Sequence, residues 1–367
     1  MKYIVWFSGW IDSTFVAYHL KQLWHEVLLV NLKNTAEKNK CCSLPTELMK
    51  IADFLWLPLK IVDVMNDFKQ FVIDDFIDSY LKWYTPNPCV NCNYRVRFRI
   101  LDKIRQELGY DFVATGHYVN KLIVKSEKWR IEENKLINKW IVGENQFYTF
   151  SIPKDTWKDQ TYMLYKLLEF QDIIKHLDFP LANFDKSEVK RILEENNIPI
   201  NTSKESQNVC FIPDDDYPRF IKQNKNINIS WWKIVDLQWN YLWEHKWLIY
   251  YTIWQRKGLN LNTSSKKYVI KLDYRTNTLI VWDNKDLFQN IVEVIEPKVL
   301  VFENIEYLDN IYWKIRYKWK LTKVKKIENN TVEFEEPVRA VTPWQHLVLY
   351  WEKDWRIFVI WWGTITN

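Results

Sequence analysis

The sequence predicts an α/β protein that begins with a doubly wound parallel sheet and ends in a β-rich part. A short apolar run, Lys2 to Phe7, is followed by a polar turn, an amphipathic segment from Ser13 to Leu23 and a second apolar run, Val27 to Val30. Strand, loop, helix and strand in this order open a doubly wound sheet, which binds ligands at the carboxyl ends of its strands. From about Lys233 onward, short β-branched and aromatic runs between turn residues predict antiparallel sheets or small barrels.

The alternation of helix and strand continues to about residue 197. The further predicted elements are a helix from Thr46 to Leu55, a strand from Lys60 to Val64, a helix from Phe68 to Leu81, a helix from Arg95 to Leu108, a strand from Phe112 to Thr115 and a helix-rich stretch from Lys158 to Asn197. The change of character after this stretch predicts three domains. We expect a catalytic α/β domain in residues 1–203, a small central β-rich domain in 204–279 and a C-terminal β-barrel in 280–367.

Length and composition limit the class of protein. The 367 residues are enough for two or three domains, and a hydrophobic fraction of 47% excludes a chain that is disordered as a whole. The formal charge of +5 suits an anionic partner, and it also fits an ordinary solvated surface. The sequence shows no export signal and no apolar stretch of membrane-spanning length. We therefore expect a cytoplasmic protein with no membrane partner, whose five cysteines are reduced.

The balance of glycine and tryptophan is abnormal. The chain has 6 Gly and 22 Trp, whereas average usage predicts about 26 glycines in a chain of this length. The two counts together come close to that expectation, and some tryptophans stand in typical glycine contexts, such as Ser8-Gly9-Trp10, Thr342-Pro343-Trp344 and Trp361-Trp362-Gly363. Our hypothesis is that the source organism reads UGA as glycine and that many of these tryptophans stand for glycine. The alternative is a genuinely tryptophan-rich protein.

The turn after the first predicted strand, Ser8-Gly9-Trp10-Ile11-Asp12-Ser13, leads directly into a predicted helix. Unpaired backbone N–H groups and the helix dipole favour an anion at such a position. The turn therefore predicts a phosphate site at the carboxyl end of the first strand. The alternative is an ordinary helix cap, because Ser and Asp are also common capping residues.

Two cysteines are candidate reactive groups. Cys92 is followed by Arg95, Arg97 and Arg99, whose positive charges on the next helix favour the reactive thiolate form. Cys210 stands alone, far along the chain.

A metal site is the rival interpretation of the cysteines. Cys89 and Cys92, with Cys41 and Cys42, could supply four thiolates for zinc or for an iron–sulfur cluster. This site would leave Cys210 unexplained, and the adjacent pair Cys41-Cys42 is an awkward half-site. Cys89 on its own fits a non-catalytic turn residue.

Six further motifs follow the turn at Ser8 in a fixed order. They are Thr85-Pro86-Asn87-Pro88-Cys89-Val90-Asn91-Cys92-Asn93, Ala114-Thr115-Gly116-His117-Tyr118, Lys158-Asp159-Gln160-Thr161-Tyr162, Ser206-Gln207-Asn208-Val209-Cys210-Phe211-Ile212, Gln255-Arg256-Lys257-Gly258-Leu259 and Arg339-Ala340-Val341-Thr342-Pro343-Trp344-Gln345. Their order resembles the bacterial tRNA-specific 2-thiouridylases over nearly the whole chain. In that family the first turn is the Ser-Gly-Gly-x-Asp-Ser loop of the ATP pyrophosphatases, and a literal Trp10 would put an indole where phosphate should lie.

The resemblance implies an ATP pyrophosphatase fold and a set of functional residues. By position, Cys92 would be the nucleophile, and Cys210 would carry a persulfide sulfur and later form a disulfide with Cys92. The residues that would contact ATP are Trp6, Phe7, Ser8, Gly9, Trp10, Ile11, Asp12, Ser13, Leu32 and Gly116. The residues that would lie along the tRNA are Asn87, Pro88 and Cys89 at the target base, and His117, Lys158, Asp159, Gln160, Arg316, Tyr317 and Gln345 elsewhere.

Some of these residues also have purely structural interpretations. Leu32 fits a strand-end core leucine, His117 fits a buried core histidine, and Arg316-Tyr317 fits a cross-strand pair. The basic stripe from Lys314 to Lys326 fits either an RNA-facing edge or a charged strand face.

The activity implied by the resemblance is that of a tRNA-uridine 2-sulfurtransferase. It would use ATP, with Mg²⁺ to neutralise the phosphate charge, to adenylate the wobble uridine of tRNAs for Lys, Glu and Gln before sulfur transfer. The partners would be tRNA and a sulfur-donating protein, either a cysteine desulfurase or a sulfur relay protein. The alternatives are another ATP pyrophosphatase, such as an amidotransferase-type synthetase, and a catalytically dead tRNA-binding protein if the tryptophans are genuine.

Overall fold

The computed structural model describes residues 1–35, 44–82, 84–125, 146–200, 209–225, 232–261, 263, 265–273, 276–283, 288–300, 305, 308–317 and 319–366. Within these ranges the chain forms a parallel sheet with helices, then a small β-sheet, then a β-barrel. This architecture confirms the predicted fold class. No helix in the described ranges is long and apolar enough to cross a membrane.

Helices and strands alternate in the N-terminal part. In chain order they are β1 (Lys2–Trp6), α1 (Ile11–Gln22), β2 (Glu26–Lys33), α2 (Pro45–Phe54), β3 (Leu59–Asp63), α3 (Met65–Phe68), α4 (Asp75–Leu81), α5 (Pro88–Asn91), α6 (Phe98–Leu108), β4 (Phe112–Ala114), β5 (Asn120–Lys125), β6 (Gln146–Ser151), α7 (Thr161–Leu164), α8 (Gln171–Lys175), β7 (Leu177–Asp178) and α9 (Lys186–Glu195). Short 3₁₀ helices lie at Thr156–Lys158, Tyr165–Glu169 and Pro180–Asn183.

The parallel sheet has the strand order β3-β2-β1-β4-β7. The chain moves outward from β1 through β2 and β3 on one side, and continues through β4 and β7 on the other. The switch point therefore lies between β1 and β4, where open α/β sheets bind their ligands. Ile4 and Val5 are both fully buried but pack into different core clusters, Ile4 with Phe68 and Val5 with Phe15 of α1. Both faces of the sheet are thus covered, as continuous apolar strands require.

Two helical runs pass through π-helical stretches. Lys69–Asp74 joins α3 to α4, and Cys92–Arg97 joins α5 to α6. The second run begins at Pro88, where the Asn87 side chain accepts a hydrogen bond from the Val90 N–H at 3.4 Å. The predicted helix start at Arg95 is therefore wrong, because an Asn cap and a Pro in the first turn start the helix before Cys92.

The C-terminal part is almost entirely β-structure. Its elements are α10 (Tyr217–Asn224), a short 3₁₀ helix (Leu248–Tyr250), β8 (Trp232–Val235), β9 (Tyr241–His245), β10 (Tyr268–Asp273), β11 (Thr278–Trp282), β12 (Phe288–Val299), β13 (Ile311–Lys314), β14 (Thr322–Glu328), β15 (Thr331–Arg339), β16 (His346–Lys353) and β17 (Arg356–Ile365). The central sheet has the order β10-β11-β8-β9. Strands β12-β15-β14-β13-β16-β17 form an antiparallel sheet that closes into a six-stranded barrel, because β12 also pairs with β17. Closure leaves the barrel without an exposed edge at that seam.

A hairpin from the N-terminal part extends the barrel sheet. β5 and β6 pair along their whole length, from Asn120 with Ser151 to Lys125 with Gln146. β6 also pairs with β17. The buried Thr149 hydroxyl donates a hydrogen bond to the Val359 carbonyl at 2.6 Å. This hairpin is absent from the sequence-based prediction. It ties the two parts of the chain together by main-chain pairing, and the predicted domain boundaries near residues 204 and 280 stay predictions.

We predict that Tyr162→Phe loosens the contact between the barrel and the α/β part. The buried Tyr162 hydroxyl lies 2.8 Å from the Ile315 carbonyl and 2.9 Å from the His346 carbonyl. Its loss leaves buried acceptors unpaired, which costs about 1–3 kcal/mol. We expect a lower melting temperature in scanning fluorimetry. The control is Tyr241→Phe, because Tyr241 is 56% exposed, and equal melting of both variants would contradict the role of Tyr162.

Candidate active site

A cavity of about 260 Å³ lies at the carboxyl ends of β1 and β4, and we call it the cleft. Its walls come from the turn after β1, the helical run that contains Cys92, the segment after β4 and the segment around Cys210. The residues predicted from the sequence that line it are Trp6, Ser8, Trp10, Ile11, Asp12, Ser13, Pro88, Cys89, Cys92, Gly116, His117, Lys158, Gln160, Cys210 and Tyr317. The switch point of the sheet thus gathers side chains from distant parts of the sequence.

The turn after β1 is held in one conformation by its two serines. The Ser13 hydroxyl accepts a hydrogen bond from the Ser8 N–H at 3.2 Å, donates to the Trp10 carbonyl at 3.1 Å and lies 3.0 Å from the Ser8 hydroxyl. Gly9 has a φ of 76°, a conformation that favours glycine. Helix α1 begins at Ile11, within this segment, so the positive end of its dipole adjoins the cleft. The turn therefore has the form of an anion site.

Gly116 brings the exit of β4 against this turn. A β-carbon at Gly116 would lie 2.8 Å from the carbonyl carbon and Cβ of Asp12 and 2.9 Å from the backbone nitrogen of Ser13. Because real β-carbons essentially never come so close to backbone atoms, a larger residue would push the two segments apart. The Tyr118 hydroxyl, two residues later, donates to Asp12 Oδ1 at 3.0 Å and holds the same junction.

The cleft carries an excess of positive charge. Among the described residues that line it, Asp12 is the only carboxylate, whereas Arg97, Lys158 and Lys186 are cations. Lys186 Nζ donates to Asp12 Oδ1 at 2.6 Å. A partly closed cavity with this balance favours polyanions such as a triphosphate. Lys186 is missing from the sequence-based prediction because it lies 174 residues from Asp12 and belongs to no local motif.

Cys92 and Cys210 both line the cleft. Cys92 is buried and Cys210 is partly exposed. Although Cys210 is far from Cys92 in the sequence, its segment is held at the cleft by the next residue, Phe211. The Phe211 ring packs edge-on against those of Phe68 and Phe76, with ring centroids 5.7 and 5.3 Å away. The two thiols therefore enter one cavity beside the anion-binding turn, which is the arrangement that two-thiol chemistry requires.

Of the three arginines that follow Cys92, one lines the cleft. Arg97 lines the cleft, and its guanidinium carbon lies 3.7 Å from the centre of the Trp6 ring. Arg99 instead lies 4.5 Å from the centre of the Phe170 ring, as part of the packing of α6. Cys92 is the first residue of a π-helical stretch, and such stretches inside helices are frequent at functional sites.

The rival metal site needs residues that the structure does not describe. Cys41 and Cys42 lie outside the described residues, as do Ser206, Gln207 and Asn208 of the Cys210 motif. Within the described ranges, no group of three His, Cys, Asp or Glu side chains is arranged to hold a metal ion.

A second cavity of about 170 Å³ lies where the α/β part meets the barrel. It is lined on one side by Asn87 and on the other by Arg316, Tyr317 and Gln345. Tyr317 lines both cavities, so the second cavity adjoins the cleft. Four residues predicted to contact tRNA therefore meet at this junction. Burial lowers the pKa of the Arg316 guanidinium, although arginine is charged at any ordinary pH.

The remaining predicted residues have mainly structural contacts. Phe7 is fully buried, and its carbonyl accepts a hydrogen bond from the Asn31 side chain at 2.7 Å. Leu32 is buried and lines a small recess behind Cys92. Asp159 is 2% exposed and forms an ion pair with Lys314. For Phe7, Leu32 and Asp159, the contacts with ATP or tRNA stay predictions.

His117 combines both of its predicted interpretations. The ring is 5% exposed, and Nδ1 lies 2.9 Å from the Thr115 hydroxyl. The ring also stacks on Trp6 with centroids 5.9 Å apart, and it lines the cleft. His117 is therefore a buried histidine with one edge at the site.

The fold and the site define a nucleotide-binding α/β domain that is joined to two β-domains. Three family models match the chain in the same order. Residues 1–214 match the tRNA methyl transferase HUP domain, residues 220–283 match the tRNA methyl transferase PRC-barrel domain, and residues 297–357 match the aminomethyltransferase beta-barrel domain.

Comparison with curated relatives identifies the family more closely. The chain is 32% identical over 362 residues to the tRNA-specific 2-thiouridylase MnmA of Clostridium acetobutylicum, which covers 95% of this chain and 96% of the relative. It is 35% identical over 363 residues to the tRNA-specific 2-thiouridylase MnmA 1 of Caldanaerobacter subterraneus subsp. tengcongensis, with coverage of 95% and 94%. This chain therefore belongs to the family of tRNA-specific 2-thiouridylases. The resemblance seen in the ordered motifs is thereby confirmed.

We predict that Gly116→Ala weakens ATP binding at least tenfold, or by about 1.4 kcal/mol. The added methyl group would collide with the backbone of Asp12 and Ser13 and displace the anion-binding turn. Isothermal titration calorimetry with ATP measures the effect. The matched control is Gly109→Ala, where φ is 67° and no atom lies within 4 Å of the new carbon. That variant loses about 1 kcal/mol of stability but binds ATP normally. Unchanged ATP binding by Gly116→Ala would rule out this junction as the nucleotide site.

Proposed function

We propose that this chain is a tRNA-uridine 2-sulfurtransferase that converts a uridine of tRNA to 2-thiouridine. The observation that carries the proposal is the meeting of Cys92 and Cys210 in one cleft beside the anion-binding turn. The chain also spans nearly the whole length of relatives that are named tRNA-specific 2-thiouridylases. A synthetase that adenylates a small carboxylate would have no use for two thiols at this place.

The first step uses ATP as a substrate. The oxygen at C2 of the base attacks the α-phosphorus, pyrophosphate leaves, and the oxygen becomes part of an adenylate. The turn from Ser8 to Ser13 binds the phosphates, and Lys186 and Arg97 offset charge on them, since all of these groups line one cleft. The step turns a poor leaving group into AMP.

The second step replaces the activated oxygen with sulfur. The terminal sulfur of a Cys210 persulfide bonds to C2, and the C2–O bond breaks with its electron pair leaving on AMP. The Cys92 thiolate attacks Sγ of Cys210, which breaks the bond to the transferred sulfur and forms a Cys92–Cys210 disulfide. In the alternative order, Cys92 first releases the sulfur as hydrosulfide, which then attacks C2. In both orders a thiol reductant reopens the disulfide, and a cysteine desulfurase or sulfur relay protein recharges Cys210.

The target is the wobble uridine of tRNAs for Lys, Glu and Gln. A base in a folded stem must be turned out before its carbonyl is accessible, and a wobble base is already nearly unstacked. Pro88 and Cys89, which line the cleft, and Asn87, which lines the second cavity, would face the base. Arg316 and Gln345, which line the second cavity, would contact the adjoining RNA.

The residues present also fit Mg²⁺ as a companion of ATP. Mg²⁺ usually binds through one or two carboxylates and the substrate phosphates, and Asp12 is the carboxylate in the cleft wall. Bound there, the ion would neutralise phosphate charge.

We further propose a cytoplasmic location, which suits reduced thiols. We also propose that the chain divides into three domains, residues 1–203, 204–279 and 280–367, and that the last of these contacts tRNA.

A catalytically dead tRNA-binding protein is the second candidate. One observation favours it: the indoles of Trp6 and Trp10 line the cleft in which the nucleotide would bind. If both residues are genuine, the chain would bind tRNA without ATP chemistry. Formation of 2-thiouridine by the unaltered chain would exclude this candidate.

We predict that Cys92→Ser and Cys210→Ser each abolish 2-thiouridine formation while the affinity for ATP stays unchanged. Serine keeps the shape of the side chain but forms no persulfide and no disulfide. Mass spectrometry of nucleosides measures the product after tRNA is incubated with ATP, a cysteine desulfurase, cysteine as the source of persulfide sulfur, and a thiol reductant. Cys41→Ser is the control, because the proposed mechanism gives Cys41 no role, whereas the rival metal site would need it. Full activity of either the Cys92 or the Cys210 variant would disprove the two-thiol mechanism.

A further inference from the structure

A buried ion pair joins the barrel to the α/β part. Lys314 of β13 and Asp159 are 5% and 2% exposed, and their charged groups are in direct contact. The Asp159 carboxylate also accepts a hydrogen bond from the Thr161 N–H at 3.0 Å. Lys314 Nζ lies 5.6 Å from the centre of the Tyr350 ring, and the Tyr350 hydroxyl lies 3.0 Å from that of Thr161. Several directional contacts thus fix one strand of the barrel against one loop.

The loop leads directly to the cleft. Lys158 and Gln160, on either side of Asp159, line it. Gln160 exchanges two hydrogen bonds with Tyr118, from its N–H to the Tyr118 carbonyl at 3.0 Å and from the Tyr118 N–H to its side chain at 2.8 Å. The Tyr118 hydroxyl bonds Asp12 in the anion-binding turn. A continuous series of contacts therefore runs from the barrel to the phosphate site.

On the barrel side, Lys314 comes shortly before Arg316 and Tyr317, which line the second cavity. A buried ion pair adds little to stability, because the loss of hydration offsets the attraction, and an apolar pair of similar volume often serves equally well. What an ion pair adds is a defined geometry. This pair has the position to set the register between the strand that leads to Arg316 and the loop that holds Lys158 and Gln160.

We propose that Asp159 and Lys314 are positioning residues for tRNA, which hold the barrel in register with the cleft and do not touch the RNA themselves. This inference rests on the proposed function and assigns Asp159 a role other than direct contact. A small displacement of the barrel would misplace a substrate that spans both cavities, and such misplacement is costly to the reaction. ATP would bind within the α/β part, where the hydrogen bonds that join Gln160, Tyr118 and Asp12 remain when the ion pair is lost, so its KM would stay constant.

The test is Lys314→Met, assayed for 2-thiouridine formation at varied tRNA and ATP. We expect the KM for tRNA to rise about tenfold or more and the KM for ATP to stay constant. Arg191→Met, which removes a cation from an exposed pair on α9, is the control and should change neither value. An unchanged KM for tRNA in Lys314→Met overturns the inference. Failure of the unaltered chain to form 2-thiouridine would instead count against the proposed function, and tRNA-binding affinity would then test the pair.

A double variant separates positioning from stability. Lys314→Met with Asp159→Leu replaces the pair by apolar side chains, and it should recover the melting temperature that the single variant loses. We expect its KM for tRNA to stay raised, because apolar contacts do not fix the register. Recovery of both the melting temperature and the KM would show that the pair serves stability alone and would overturn the inference.

A different observation concerns the tryptophans. Six described tryptophans have positive φ, a region that is sterically unfavourable for bulky L-residues. They are Trp24 (58°), Trp56 (51°), Trp239 (63°), Trp254 (74°), Trp344 (68°) and Trp355 (65°). The local contacts of five of them show which kind of residue the position requires.

Two of the six end helices in the Schellman motif. At Trp24, its N–H and that of the next residue donate to carbonyls three and five residues earlier, at 2.9 and 3.2 Å. The same two bonds occur at Trp56, both at 3.0 Å. At the end of α6 the equivalent place is held by Gly109, with φ of 67°. Glycine is the usual residue at this position.

Three others lie in turns of defined type. Trp254 and Trp344 are third residues of turns closed by a backbone bond from the fourth residue to the first, at 3.0 and 3.3 Å, and Pro343 precedes Trp344. Positive φ at the third residue alone defines a type II turn, which requires glycine there. Asp354 and Trp355 form the two-residue turn between β16 and β17 with φ of 50° and 65°. Asp-Gly is the preferred pair in such a turn.

At Trp24, Trp56 and Trp355, burial does not compensate for the backbone conformation. Trp24 and Trp56 are 93% and 86% exposed, and Trp355 is fully exposed. Their indoles therefore gain almost nothing from the core while their backbones need a residue without a side chain. We infer that glycine is the native residue at the six positions with positive φ, which extends the composition argument to individual sites.

Tandem mass spectrometry of the protein isolated from its source tests this inference directly. We expect glycine in the peptides that cover the six positions, and tryptophan there would overturn it. A second measurement uses the chain with its tryptophans. Single Trp24→Gly and Trp355→Gly variants should raise the melting temperature by about 2 °C or more. The control is Trp157→Gly, because Trp157 is 92% exposed and lacks positive φ. A fall in melting temperature for the first two variants would contradict the inference.

Discussion

The close approach of the β4 exit to the turn after β1 is the constraint on which the site depends. It exists because the strand order reverses between these two strands, and it is possible because Gly116 has no side chain. Once the two exits touch, Tyr118 reaches Asp12, and Asp12 in turn bonds Lys186 from the far helix α9. The anion-binding turn is therefore fixed from three directions before any ligand is present, so little reorganisation is needed when phosphate binds.

The barrel is the second wall of the same site and not an appendage. It shares a sheet with the hairpin of β5 and β6. The Tyr162 hydroxyl also bonds two barrel carbonyls, that of Ile315 just after β13 and that of His346 at the start of β16. Burial lowers the pKa of His346 at this junction to about 3, so its ring is neutral at physiological pH. Protonation of His346 therefore does not alter this junction near neutral pH.

Local patterns predicted the parts of the fold that depend on local physics. The apolar run at β1, the polar turn and the amphipathic α1 follow from periodicity and capping, and the ordered motifs identified Cys92 and Cys210 together. Contacts between distant segments could not be predicted from the sequence. Lys186 meets Asp12 and Lys314 meets Asp159 across separations of 174 and 155 residues, and no periodicity within either segment signals the partner. The start of the Cys92 helix was missed although Asn87-Pro88 is an ordinary start signal.

The tryptophans with positive φ show how local rules can judge a sequence. Violations of such rules are expected where a protein uses strain for function. Trp24, Trp56 and Trp355 instead lie at two helix ends and a hairpin turn, and none of them lines the cleft. Most other described residues with positive φ are Gly, Asn or Asp, and Glu296 and Ala340 are the exceptions. A strained residue with no function and no burial is hard to reconcile with this pattern. The conflict is resolved if the native residue at these positions is glycine, because glycine adopts positive φ without strain.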